Sequence, residues 1–201
     1  MYREVNAPAF QNAHAYEFAG VCIRPGDLVV DAGASEGFFT RYALQKGANV
    51  LAFEPVPITA DCLARTFAYE IANNRVKVFK VALDAGAGWR RLDVAGDTLG
   101  SSFAEDGIEV PAMPLDEILR DTKVDFIKMD IEGAEVDALT GASRLIARNK
   151  PRLAIAVYHT LEGAKRVMQL ITAIRADYAV KHRGIWARDG CEPRPFMVYA
   201  W

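Results

Sequence analysis

The feature that most constrains the fold of this chain is an alternation. Short β-rich apolar runs and helical patterns follow one another from residue 28 to residue 200. Leu28–Asp31 is an apolar run ending in an acid and a glycine turn, followed by a helical stretch over roughly Glu36–Lys46. Asn49–Phe53 predicts a second buried strand, and Pro57–Ala72 a helix with Leu63, Phe67 and Ile71 spaced by four. Arg75–Leu83 reads as a third strand, Val124–Ile131 as a fourth and Leu153–Tyr158 as a fifth. Helical patterns fall at Leu115–Arg120, Ala134–Arg148 and Glu162–Ala176. Strands alternating with helices imply βαβ units around a mainly parallel sheet. Tyr178–Arg183 and Phe196–Ala200 would close it as an antiparallel edge, a common addition to such sheets. Residues 84–114 are a Gly-rich excursion whose only clear strand is Trp89–Val94, and residues 1–24 read as an N-terminal helix or cap over the site. The length of 201 residues suits a single domain, 1–201.

Composition narrows the partners. A formal net charge of -2 supplies no global basic field, so neither nucleic acid nor an anionic membrane is expected as partner. Cys22, Cys62 and Cys191 are widely spaced and form no CxxC pair, which argues against a disulfide framework or a cysteine zinc site. Residues 1–10 lack the apolar core of a signal peptide, and no run approaches the roughly 18 apolar residues of a membrane span. A soluble, cytoplasmic protein with reduced thiols is the expectation.

In open α/β sheets, ligands bind beyond the carboxyl ends of the strands. Four predicted strand ends carry reactive or ligand-binding residues: Asp31, Glu54, Asp130 and His159. The first opens the loop Asp31-Ala-Gly33-Ala34-Ser35-Glu36-Gly37. Gly33 lets the backbone pass close to a ligand, Ser35 is a candidate helix cap, and Glu36 suits the positive end of the helix. Glu54, 21 residues beyond Gly33, could accept two hydrogen bonds from a ribose diol. A dinucleotide loop would need glycines where Ser35 and Phe38 stand. An acid before the first glycine suits a cationic cofactor, with Asp31 near the ammonium and sulfonium end of S-adenosylmethionine. The second constellation is Asp125-Phe-Ile-Lys128-Met-Asp130-Ile-Glu132-Gly133-Ala-Glu135. Lys128 shares strand parity with Asp130, and a lysine in a buried strand should find a structural partner.

These residues resemble the FkbM-type methyltransferases: the loop Asp31–Gly37 running on to Phe38-Phe39-Thr40, Phe53-Glu54-Pro55, Leu115-Asp-Glu117, and the segment Asp125–Glu135. The resemblance implies a class I methyltransferase (Rossmann-like) α/β fold with a mostly parallel seven-stranded sheet. It implies S-adenosylmethionine as donor and a small-molecule acceptor, a sugar or natural-product hydroxyl. It assigns Asp31, Gly33, Ala34, Ser35, Glu36 and Gly37 to the amino-acid part of the cofactor, Glu54 to its ribose, Ala82 and Leu83 to its adenine, and Asp130 to the vicinity of the methyl group.

Methyl transfer from a sulfonium is an in-line displacement, in which the protein contributes position and electrostatics. An alcohol acceptor must lose its proton, so a base helps. The expected base is His159 or Asp130, with His182 a further candidate on a strand that could lie beside the fifth. No metal ligand is predicted, although Asp130, Glu132, His159 and His182 could instead hold a divalent ion. Ser101-Ser102-Phe103 could touch the acceptor but reads more simply as a turn. The rival readings are an NAD(P)-dependent oxidoreductase and a non-catalytic cofactor-binding relative. A nucleic-acid methyltransferase is disfavoured by the missing basic patch and missing flipped-base motif.

Overall fold

The computed structural model describes residues 12–92, 107–187 and 190–201; the segment Ser101–Phe103 lies outside them. The elements, in chain order, are β1 (Leu28–Ala32), α1 (Phe38–Gln45), β2 (Asn49–Phe53), α2 (Pro57–Thr66), α3 (Ala68–Ala72), β3 (Val76–Phe79), β4 (Ala82–Leu83), β5 (Gly88–Leu92), β6 (Ile108–Met113), α4 (Leu115–Ile118), β7 (Phe126–Met129), α5 (Glu135–Thr140), α6 (Ser143–Asn149), β8 (Arg152–Ala156), α7 (Leu161–Ile174), β9 (Val180–Trp186) and β10 (Arg194–Ala200).

Seven strands form one sheet in the order β3-β2-β1-β7-β8-β10-β9. The first five run parallel, and β10 is antiparallel to both β8 and β9. This is the class I methyltransferase arrangement, with the expected antiparallel edge. Alternate residues of the central strands feed two cores. Val29, Val50, Phe126 and Ala154 pack with Phe39 of α1 and Leu63 of α2. Val30, Ile127, Leu153 and Ile155 pack with Leu139, Leu145 and Val167 from α5, α6 and α7. Burial on both faces is why these strands read as continuous apolar runs. The chain order reverses between β1 and β7, so a ligand crevice opens beyond their carboxyl ends.

Several expected elements divide. The run Arg75–Leu83 gives two strands in two sheets: β3 pairs with β2, whereas β4 joins a three-stranded sheet of order β4-β6-β5. The ladder ends where Glu54 N–H donates to the Phe79 carbonyl at 3.0 Å. β6 was not anticipated, because Pro111 sits inside it. The two-residue β4 pairs only Ala112 and Met113, so Pro111 has no ladder bond to donate on that side. The helix expected over Pro57–Ala72 breaks at Phe67, whose backbone (φ −105°, ψ 25°) leaves the helical region. The helix expected over Ala134–Arg148 breaks at Gly141, where an added Cβ would lie 2.0 Å from the Asp84 carbonyl oxygen. Residues 12–24 contain no helix; they form an irregular segment with one antiparallel bridge, Phe18 to Val21. All three cysteines are exposed and outside any disulfide. Among the described residues no helix is long and apolar enough to cross a membrane.

Candidate active site

Asp31 ends inward rather than outward. It has 0% exposure, and its Oδ1 meets Lys128 Nζ at 3.0 Å while Oδ2 accepts from the Thr40 hydroxyl at 2.7 Å. The ammonium of Lys128, itself 3% exposed, also donates to the carbonyls of Ala32 (3.0 Å) and Gly33 (2.6 Å). Among the described residues, the cation that Asp31 meets is Lys128. Lys128 is the structural partner its buried strand position called for, and it shapes the loop from beneath.

The loop lies close against the neighbouring strand. Gly33 has φ +76°, and a Cβ there would fall 1.9 Å from the Asp130 carbonyl oxygen. Only glycine meets both demands. The N–H groups of Gly33 and Ala34 donate to the Phe53 carbonyl at 3.0 and 3.1 Å. Ser35 also has positive φ, at 47°. It does not cap α1: the N-cap is Gly37, with φ 80° and no side-chain cap, and the Ser35 hydroxyl donates to Glu36 Oε2 at 2.8 Å. The expected cap fails because the left-handed turn delays the helix start to Phe38.

Glu54 is 5% exposed, and its two oxygens accept from the backbone N–H groups of Ser35 and Val56, each at 2.9 Å. Burial pushes its carboxyl above the usual range, against the pull of those donors and of Lys128. Each oxygen keeps a lone pair, so a pair of ligand hydroxyls can be met there. Next to it, a groove of about 350 Å³ runs between Ser35 and Glu36 on one side and Ile58, Thr59, Cys62 and Leu63 on the other. Ala82 and Leu83 are buried in β4, and Ala82 packs with Val56, two residues beyond Glu54.

Asp130 follows β7 directly. Its Oδ2 accepts from the Tyr16 hydroxyl at 2.8 Å and faces His14 Nε2 at 3.2 Å; its Oδ1 accepts from the Tyr158 hydroxyl at 3.4 Å. Burial alone would raise this carboxyl, but the His14 hydrogen bond, the charges of Lys128 and His14, and the Tyr16 hydroxyl prevail and hold it far below the carboxylate range. Burial and the neighbouring Asp130 push the Tyr158 phenol well up, so it remains a donor.

His159 faces two glutamates. Its Nδ1 is 3.6 Å from Glu132 Oε2 and its Nε2 3.4 Å from Glu135 Oε1. Burial opposes its protonation, but Glu135, Glu132 and Asp130 together raise it above the ordinary imidazole value. Glu135 also accepts from the N–H groups of Ile131 (3.1 Å) and Gly133 (3.3 Å), which fixes the turn in which Glu132 has φ 57°. A cavity of about 60 Å³, water-sized rather than cofactor-sized, lies between His159, Glu135, Gly133 and Thr160. Asp130, Glu135 and His159 each bring one potential ligand atom within 4.8 Å of the others. Glu135 thus stands where Glu132 was expected in a metal-binding alternative, and His182 is absent from the group. β10 separates β8 from β9, so His182 stands three strand spacings from β7, about 14 Å, and is exposed.

His14 and Tyr16 were not anticipated at the site. They lie in a segment without periodicity, and nothing local connects them with Asp130.

A family model described as the methyltransferase FkbM domain matches residues 31–180. The methyltransferase sdnD of Sordaria araneosa is 28% identical over 168 residues, 64% of this chain and 64% of that protein. The 31-O-demethyl-FK506 methyltransferase FkbM of Streptomyces tacrolimicus is 36% identical over 110 residues, 53% of this chain and 39% of that protein. The crystal structure of a methyltransferase FkbM from Methylobacillus flagellatus superposes with a TM-score of 0.71 at 26% identity, covering 100% of this chain and 48% of that one. The chain thus spans less than two thirds of the length of each of these relatives.

Proposed function

The chain belongs to the FkbM methyltransferase family, and on that premise we propose that it transfers a methyl group from S-adenosylmethionine to a hydroxyl of a small molecule, a sugar or a natural product. The observation that carries this reading is the convergence of the Gly33 loop, Glu54 and Asp130 at the reversal between β1 and β7. The residues present suit the cofactor. Glu54 has lone pairs to spare for a ribose diol, and the adjoining groove falls in the size range of small-molecule sites. Gly33–Gly37 would hold the amino-acid end and Ala82 and Leu83 the adenine. Asp31 would act by holding the loop through Lys128.

When bound, the cofactor supplies an electrophilic methyl carbon on a positively charged sulfur. The ionised Asp130 carboxylate suits that charge. A carboxyl held so far down is a poor proton acceptor, so Asp130 orients and stabilises rather than removing the proton. His159 is the better base: Glu135 at its Nε2 and Glu132 at its Nδ1 can orient the ring and stabilise the charge it gains with the acceptor proton. His182 takes no part.

Calorimetric titration with S-adenosylmethionine and with NAD tests the donor. Binding of the former alone is expected, and tight binding of NAD alone would sink the assignment. Incubation with small-molecule extracts should yield a product heavier by one methyl group, formed slowly by His159→Ala; undiminished turnover in that variant removes His159 as the base.

A further inference from the structure

Asp130 is held from outside the family-matched span. That span begins at residue 31, yet both groups on Asp130 Oδ2 come from earlier in the chain: His14 Nε2 at 3.2 Å and the Tyr16 hydroxyl at 2.8 Å. We propose that His14 and Tyr16 are positioning residues of the methyl-transfer site, fixing the Asp130 carboxylate so that its other oxygen faces the sulfonium. This rests on the function proposed above.

The geometry supports it in three ways. First, two groups on one carboxylate oxygen fix rotation about the bond that carries the carboxylate. Among the described residues, Oδ1 then has only the longer Tyr158 contact of 3.4 Å and is the less committed oxygen. Second, the segment is firmly seated. The Tyr199 hydroxyl donates to the Ala15 carbonyl, the His14 ring lies 5.0 Å from that of Phe196, and the Tyr16 ring 5.1 Å from that of Phe39. An added Cβ at Gly184 would approach Ala13 Cβ to 2.8 Å. The hairpin β9–β10, most of it beyond residue 180, is thus the platform for Ala13, His14 and Ala15, while Tyr16 rests on α1. Third, the arrangement is costly for packing alone. His14 and Tyr16 are 7% and 3% exposed, and burying polar groups around a carboxylate stabilises a fold less well than apolar packing of the same volume.

Without these donors, the buried carboxylate turns toward Tyr158 or takes up a proton, and the negative charge offered to the sulfonium falls. The readout needs no acceptor. S-adenosylmethionine carries the sulfonium charge, and S-adenosylhomocysteine is the same molecule without methyl or charge. Titrating both into wild type, Tyr16→Phe, His14→Met, His14→Gln and Asp130→Asn gives each protein's preference for the charged form. That preference should fall about three- to tenfold in Tyr16→Phe and His14→Met, part of the worth of a contact to a charged group. It should recover in His14→Gln, whose amide N–H replaces Nε2–H, while affinity for S-adenosylhomocysteine stays within about twofold throughout. A full preference in Tyr16→Phe and His14→Met, together with its loss in Asp130→Asn, overturns the positioning role and leaves the transfer site standing. A full preference in Asp130→Asn removes Asp130 from the sulfonium and overturns the underlying reading. Should His14→Met fail to fold, Tyr16→Phe keeps the ring and decides the matter.

Discussion

Replacing Lys128 with methionine isolates the ion pair that joins β7 to the loop after β1. At 3.0 Å, the attraction between Lys128 Nζ and Asp31 Oδ1 is about 5–6 kcal/mol for an effective dielectric constant near 20. Desolvation of two groups with 3% and 0% exposure offsets much of that in the wild type. The variant loses the attraction but keeps the penalty of burying Asp31. It leaves Asp31 buried with only the Thr40 hydroxyl, and frees the carbonyls of Ala32 and Gly33. The expected loss is about 3–5 kcal/mol, set against a total stability of about 5–15 kcal/mol for ordinary domains. The double variant Asp31→Asn/Lys128→Met removes both charges and should recover part of it, a coupling of about 1–3 kcal/mol. Urea unfolding followed by circular dichroism, on wild type, both single variants and the double variant, measures the cycle. Additive single variants, or a loss below about 1 kcal/mol for Lys128→Met, would refute the reasoning and make the lysine a snorkelling side chain.

Two further outcomes are expected. Glu54→Gln places an amide N–H against one of the backbone donors of Ser35 or Val56, and should weaken S-adenosylmethionine and S-adenosylhomocysteine alike by about 10–100-fold in calorimetry; a loss confined to the charged ligand would argue against ribose binding. His159 is raised above its ordinary value of 6.5, so its ion pairs contribute stability that is full below about pH 6.5 and is lost as pH rises through the higher folded value. The gap in urea midpoint between wild type and His159→Gln should therefore be wide at pH 6 and narrow at pH 9, and a gap that widens with pH would contradict the assigned pairs.

The strands were legible in the sequence where burial on both faces made them uninterrupted. Val29 and Val30 serve opposite cores, as do Phe126 and Ile127, so the runs around them stood out. Asp31, Glu54 and Asp130 marked their ends because an acid rarely follows such a run without a purpose. The breaks were not legible. Phe67 is no helix breaker, and the glycine that ends α5 is demanded by a distant segment, the Asp84 carbonyl, which leaves no room for a Cβ at Gly141. Pro111 hid β6 because proline argues against a strand unless the neighbouring strand is too short to need its N–H. His14 and Tyr16 were invisible as site residues for a similar reason. Tyr16 reaches a partner 114 positions away, and no local pattern records a contact of that span.

The seam between β1 and β7 has a thermodynamic consequence. Its contacts join residues about 95 positions apart, so closing it costs chain entropy of about 4 kcal/mol, whereas β1, β2 and β3 find one another locally. Glu54 belongs to the local half and Asp130 to the other. A ligand that holds both can bind only while the halves are docked, and at a hundred times its dissociation constant it adds about 2.7 kcal/mol to their association. The donor would thus act as a removable staple across the central seam of the sheet, coupling the occupancy of the site to the docking of its two halves.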